Sequence, residues 1–298
     1  MSEVTPSNII SKEEIKQISI DLDSKVKITK SKTSLNKIKK NLKDFVQQQK
    51  KELESIEANV RANPNYLENE NIKLPEKKNK VVLLHSGYFS PVHNGDIELL
   101  LVAKKFHEDE LNAFVAGALL SPVHDQLVRT KLDKDVFIQS KHRIAMIEKV
   151  VEDSEWIDID TWDAAQTRAQ PLGTVANHLA NTLKEKIPGH KSLKVCLVVS
   201  ATNLIRSPLV GFDSKLVNLC VVGTADDKTA VAHIKDNYEK NQGVKISFAE
   251  CESVIPSSEV ACEHFKKGTL TSEVVSESVV KHVQFHLLGG YALKDEDL

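Results

Sequence analysis

Between Lys80 and Lys105 the chain reads KVVLLHSGYFSPVHNGDIELLLVAKK, and this stretch restricts the fold more than any other. Val81, Val82, Leu83 and Leu84 form a short apolar run, as expected of a strand buried on both faces. Ser86-Gly87 break the run, Pro91 stiffens the loop, and Gly95-Asp96 open a new segment. Ile97, Leu100, Leu101 and Ala103 then recur at helical spacing, with Glu98, Lys104 and Lys105 on the polar side. The unit is a strand, a glycine loop and a helix. It aims backbone N–H groups and the positive end of a helix at one point, which suits a phosphate. A turn of the same shape without a ligand fits the pattern equally well. Neither a Walker lysine motif nor G-x-G-x-x-G occurs here. The motif present is G-x-F-x-P-x-H-x-G, with Gly87, Phe89, Pro91, His93 and Gly95 in step.

The same alternation continues down the chain. Strands are predicted over 80–85, 112–118, 156–160, 193–200, 217–223 and 244–250, and helices over 96–109, 139–153, 174–186, 227–240, 257–267 and 272–287. This pattern implies an α/β fold, a Rossmann-like parallel sheet with helices on both faces. Ligands of such sheets lie beyond the carboxyl ends of the strands, where the loop at 86–95 falls.

Residues 1–79 differ in character. They are rich in Lys, Ser, Asn, Gln and Glu and lack glycine. Residues 1–33 read as poorly ordered. Leu35, Ile38, Leu42, Phe45, Val46, Leu53, Ile56 and Val60 predict one amphipathic helix, capped near Thr33-Ser34 and stopped at Asn63-Pro64. Its stripe suits either the main domain, a homo-oligomer contact or a protein partner, and Lys37, Lys39, Lys40 and Lys43 read as a solvated face. The expected organisation is a helical N-terminal extension (1–79), a domain over 80–288 and a tail (289–298).

Composition closes some classes. The formal net charge of -2 favours neither nucleic acid nor a membrane as partner, and no apolar run approaches a membrane span. Cys196, Cys220, Cys251 and Cys262 are widely spaced without a C-x-x-C pair and read as reduced thiols. With no signal-peptide pattern at the start, the expected location is intracellular, cytoplasmic or nuclear.

Further candidates lie beyond the first loop. Ser121-Pro122-Val123-His124-Asp125 precede a long loop holding Arg129, Lys131 and Lys134. His124 serves there to bind substrate or to hold the loop. Ser140-Lys141-His142-Arg143 open a helix with basic residues that oppose its dipole, which calls for an anion or a carboxylate nearby. Trp162 lies beyond the third strand, placed to stack on a ligand ring or cover the sheet. Thr174 begins the next helix, as a cap or a ligand contact. Ser257 and Ser258 start a late helix, either capping it or binding phosphate.

Taken together, these stretches resemble the eukaryotic nicotinamide and nicotinate mononucleotide adenylyltransferases, within the nucleotidylyltransferases of the H-x-G-H type. The similarity runs from about Lys80 to Leu288 and is strongest in SPVHD (121–125) and SKHRIAMIEKVVEDSEWIDIDTWDAAQ (140–166). The resemblance implies a reaction in which a mononucleotide phosphate attacks the α-phosphorus of ATP, with Mg²⁺, giving a dinucleotide and pyrophosphate in NAD biosynthesis. It places Gly87, Phe89, Gly95, Ser257 and Ser258 against ATP. It places His124, Arg129, Trp162 and Thr174 against the mononucleotide, and His93 and Asp96 at the reacting phosphates.

The cations of the family pattern are missing. Its signature histidine falls on Asp96, a late lysine on Glu259, a late arginine on Ala261, and an aspartate on Thr202. Its pyridine-stacking tryptophan falls on Pro171, and the tyrosine and lysines after SPVHD on Leu127, Val128 and Arg129. A like charge about 4 Å from a phosphate costs ~1 kcal/mol in water and ~4 near a protein surface. Three readings are compatible with this pattern: a relative with a dismantled phosphate site and weak or lost transfer, an active adenylyltransferase rearranged around His93, His124 and Arg129, and an interaction module recruiting through the N-terminal helix.

Overall fold

The structure, a computed structural model, describes residues 34–62, 79–187, 193–206, 211–252 and 255–287. The expectations for residues 1–33, the linker up to residue 78 and the tail from 289 lie outside the described residues.

The elements in order are α1 (Ser34–Ala62), β1 (Asn79–Gly87), α2 (Asn94–Asp109), β2 (Ala113–Pro122), α3 (Asp125–Lys131), α4 (Ser140–Val151), β3 (Ile157–Ile159), α5 (Leu172–Lys186), β4 (Leu193–Ser200), α6 (Ala201–Arg206), β5 (Val217–Gly223), α7 (Lys228–Gln242), β6 (Ile246–Glu250), α8 (Ser258–Lys267) and α9 (Glu277–His286). All strand pairs are parallel and the order is β3-β2-β1-β4-β5-β6. Strand order reverses between β1 and β4, and a crevice opens at such a point above the carboxyl ends of the strands. The predicted strands and long helices are present; α3 and α6, at seven and six residues, are too short to give a periodic signal in the sequence.

Alternation within the strands sorts the core into two layers. Val81 and Leu83 of β1, Leu120 of β2 and Val198 of β4 face α2, α4, α8 and α9. Val82, Leu84, Leu119 and Leu197 face α1, α5, α6 and α7. Sheets covered on both faces give strands that read as apolar runs, and this is why β1 is visible as VVLL. Each buried Leu contributes about 2 kcal/mol by leaving water.

The N-terminal helix belongs to this core. Ile38 and Leu42 are buried on the second layer, Val46 is buried as well, and Phe45 stacks on Phe114 with ring centres 4.2 Å apart. A register shift between Val81 and Val82 leaves Ala116 unpaired in β2, and Asn41 Nδ2 donates to its carbonyl at 3.0 Å. At Gly117 a Cβ would come within 3.0 Å of the Ile38 side chain, so the glycine admits the helix. One expectation is corrected: Lys37 is not part of a solvated face. Its Nζ donates to the carbonyls of Ile157 on the edge strand β3 (3.0 Å) and of Val151 at the end of α4 (3.3 Å), with Asp158 Oδ2 3.7 Å away.

Candidate active site at the β1 to α2 loop

The loop between β1 and α2 folds back over the end of its own strand. Phe89 takes a left-handed backbone (φ 48°) and is buried, its ring covering Gly87. A Cβ at Gly87 would stand 3.2 Å from that ring. The Ser90–Pro91 peptide is cis. Val123 donates its N–H to the Gly87 carbonyl at 3.1 Å, so SPVHD runs alongside this loop.

Asp96 lies in the first turn of α2 and is buried. Its Oδ2 accepts the backbone N–H of His93 at 2.9 Å, as the acidic half of a capping box does. Its Oδ1 meets His85 Nε2 at 3.1 Å and His93 Nε2 at 3.5 Å. His85 Nδ1 faces the Val198 carbonyl at 3.2 Å, so its two nitrogens lie against two acceptors. Burial alone would push the Asp96 carboxyl up; the charge of His93, then the hydrogen bond and charge of His85, hold it below the usual aspartate value. In the sequence Asp96 stands as a lone carboxylate beside His93. His85 corrects that: it lies buried at the end of β1, and the loop that leads from β1 into α2 sets it against Asp96, with the Val198 carbonyl of β4 at its other nitrogen.

Two backbone donors of this helix end are already in use. His93 N–H goes to Asp96, and Asn94 N–H to the Val274 carbonyl at 2.9 Å. Asn94 Nδ2 donates to the Ser272 and Glu273 carbonyls, both at 3.1 Å. Gly95 sits so close to the late helix that a Cβ would be 2.2 Å from the Pro256 carbonyl oxygen. The α8 segment thus presses on the first loop, and Cys262 Sγ reaches the Ser90 carbonyl at 3.2 Å. Burial, with the charges of Glu259 and Asp96, pushes that thiol up to about 11.

Ser257 is the N-cap of α8 without a side-chain cap bond, and Ser258 is its first residue; both are exposed. Glu259 is paired: Arg206 Nη1 at the end of α6 donates to it at 2.8 Å. Sequence reasoning missed this arginine, which comes from the segment after β4; its signal is a basic residue closing a helix six residues beyond Ser200. Thr202 is exposed on the same helix.

The second loop is built around a carboxylate and a guanidinium. Arg143, wholly buried, donates through Nη2 to Asp125 Oδ1 (2.7 Å) and the Val123 carbonyl (2.7 Å), through Nη1 to the Tyr88 carbonyl (2.9 Å), and through Nε to the Ile138 carbonyl (3.0 Å). Asp125 also accepts the Ser140 N–H at 2.7 Å. The carboxylate that the basic start of α4 calls for is therefore Asp125. His124 caps α3, its Nδ1 accepting the Gln126 N–H at 3.1 Å, and its own N–H goes to buried Asp163 at 3.2 Å. Arg129 is not brought to the loop contacts; its guanidinium lies over the Phe137 ring at 4.3 Å. Trp162 stacks on His178, ring centres 4.0 Å apart. Asp160 accepts from Ser121 Oγ and Trp162 N–H, and burial pushes the carboxyls of Asp160 and Asp163 up. Thr174 is exposed in the first turn of α5.

The arrangement brings Gly87, Phe89, His93, Gly95 and Asp96 together, with Ser257 beside them across Pro256. It sets His124 in the neighbouring loop and gives Arg129 a different partner.

A sequence profile of the cytidylyltransferase-like family matches residues 84–261. Among individual relatives, the chain is 25% identical over 154 residues to nicotinamide/nicotinic acid mononucleotide adenylyltransferase 2 of Danio rerio, covering 52% of this chain and 47% of that protein. It is 30% identical over 111 residues to the type 1 protein of Bos taurus (37% and 38%) and 28% over 152 residues to the Arabidopsis thaliana protein (49% and 60%). The chain thus spans about half the length of the curated relatives it matches. The Plasmodium falciparum nicotinic acid mononucleotide adenylyltransferase complexed with NaAD aligns at 13% identity and a TM-score of 0.46, over 68% of this chain and 94% of that one. On the profile and the sequence relatives, the chain belongs to the cytidylyltransferase-like family, as a divergent relative of the mononucleotide adenylyltransferases.

Proposed function

We propose that this chain is a nucleotidylyltransferase-fold protein in which the ATP phosphate site has been converted to internal bonding, so that adenylyl transfer is weak or lost while a mononucleotide-binding face remains. One observation carries the reading: at the amino end of α2 the His93 N–H serves the Asp96 carboxylate and the Asn94 N–H serves Val274. A helix start binds a polyanion through free N–H groups and its dipole. Here a carboxylate of the same chain already uses that field.

The residues present do not fit a protein-held Mg²⁺. Asp96 Oδ1 meets two histidine nitrogens and Oδ2 a backbone N–H. Among the described residues no group of three or more His, Cys, Asp or Glu is arranged to hold a metal. Mg²⁺ would enter only with a nucleotide, and no step is assigned to it. What the chain's own groups supply is orientation. Arg143 ties the Tyr88 and Val123 carbonyls into one frame, and the resemblance assigns His124, Trp162 and Thr174 to the mononucleotide.

A steady-state assay with ATP, Mg²⁺ and either nicotinamide or nicotinate mononucleotide tests this. Dinucleotide formation well below the ordinary range of ~1–10³ per second is expected; turnover within that range removes the proposal. The rearranged-enzyme reading has one observation in its favour, since Arg206 returns a cation to the place Glu259 occupies. Under that reading Arg206→Ala abolishes turnover.

A further inference from the structure

On the α4 and α9 side of the molecule, a group of basic side chains gathers without an acidic partner. His142 Nδ1 on α4 lies 3.4 Å from His282 Nε2 on α9. His286, one turn further, has its ring centre 4.6 Å from that of His282 and 6.3 Å from that of His142. Lys141 and Lys149 stand exposed on α4 and form no ion pair among the described residues. His282 is only 7% exposed, and its buried Nδ1 has no hydrogen-bond partner among the described residues.

The other charged groups of the two helices are accounted for. Arg143 is bound to Asp125, and Glu277 to Lys281 at 2.7 Å. Glu148, exposed on α4, pairs with none of the basic group. Burial, then the charges of Lys141 and His286, hold His142 below the usual histidine value. Burial, then His286, His142 and Lys149, do the same for His282. A buried polar nitrogen without a partner, ringed by like charges, is unfavourable in the free protein. An anion at that place removes both defects at once.

We infer that the α4–α9 junction is a binding site for a multiply charged phosphate-type anion, held at the rim by Lys141 and Lys149 and within by the imidazoles of His142, His282 and His286. The anion favours added protons on the imidazole group, one nitrogen of the His142–His282 contact remaining the acceptor, so binding takes up protons and strengthens as pH falls below the ordinary histidine value of about 6.5. The inference is independent of the function proposed for the α2 loop.

Pyrophosphate is the probe, titrated into the full chain at about pH 6 and about pH 8 while the imidazole resonances are followed by NMR. Expected are shifts at His142, His282 and His286 and an affinity at least about tenfold higher at the lower pH. Both should vanish in the Lys141→Glu/Lys149→Glu double variant, whose exposed positions leave the fold, read by circular dichroism, unchanged. Shifts confined to His85 and His93 place the anion at the α2 loop and overturn the assignment. Unchanged affinity in the double variant overturns it, as does no binding at either pH. Binding only to phosphatidylserine vesicles makes the ligand a lipid surface and overturns it too.

Discussion

Asp96 and His85 meet at 3.1 Å inside the protein, joining the first turn of α2 to the end of β1. Because both are buried, the pair acts as a structural unit. Asp96→Ala leaves two imidazoles facing no carboxylate, and removing one partner of a buried pair costs about 3–5 kcal/mol. Urea denaturation of the variant should show that loss, with an unchanged m-value.

The pair also sets an acid dependence. The Asp96 carboxyl is held below its ordinary value once folded. A depressed carboxylate contributes stability that is present above the unfolded aspartate value of about 3.9 and is lost as pH falls through the lower folded value. Stability of the parent chain should therefore fall more steeply below about pH 4 than that of Asp96→Asn. Parallel curves for the two proteins would show that Asp96 is not in its described setting.

Gly95 tests the contact between the first loop and α8. A Cβ there would lie 2.2 Å from the Pro256 carbonyl oxygen, a backbone atom that cannot swing aside. Gly95→Ala should cost about 1–3 kcal/mol, as overpacking does. It should also raise amide exchange at the start of α8, measured by mass spectrometry.

Arg143 fixes the two site loops through its bonds to Tyr88, Val123, Ile138 and Asp125. Lysine cannot reproduce a planar fork. Arg143→Lys should destabilise by about 3 kcal/mol or more, and residues 88–93 and 123–125 should lose exchange protection first.

Arg206 and Glu259 form the contrasting pair. Their side chains are 64% and 65% exposed, so the 2.8 Å contact is screened by water. A double-mutant cycle should give a coupling under about 1 kcal/mol that shrinks as salt is added.

The apolar runs and helical periods determined the α/β class and each long element by themselves, because burial on both faces writes a distinct pattern into strands and helices. The resemblance to the mononucleotide adenylyltransferases, not the periodicity, marked Asp96, Glu259 and Ala261 as places where a cation of the family pattern is missing. Only the tertiary structure decided what those residues touch. His85 is a lone histidine at the end of an apolar run until α2 folds back on β1 and sets it against Asp96, while β4 brings the Val198 carbonyl to its other nitrogen. Arg206 and Glu259, Arg143 and Asp125, and His142 and His282 meet across separate elements of the chain. Contacts of that kind depend on distance in space, and local sequence patterns report only neighbours along the backbone.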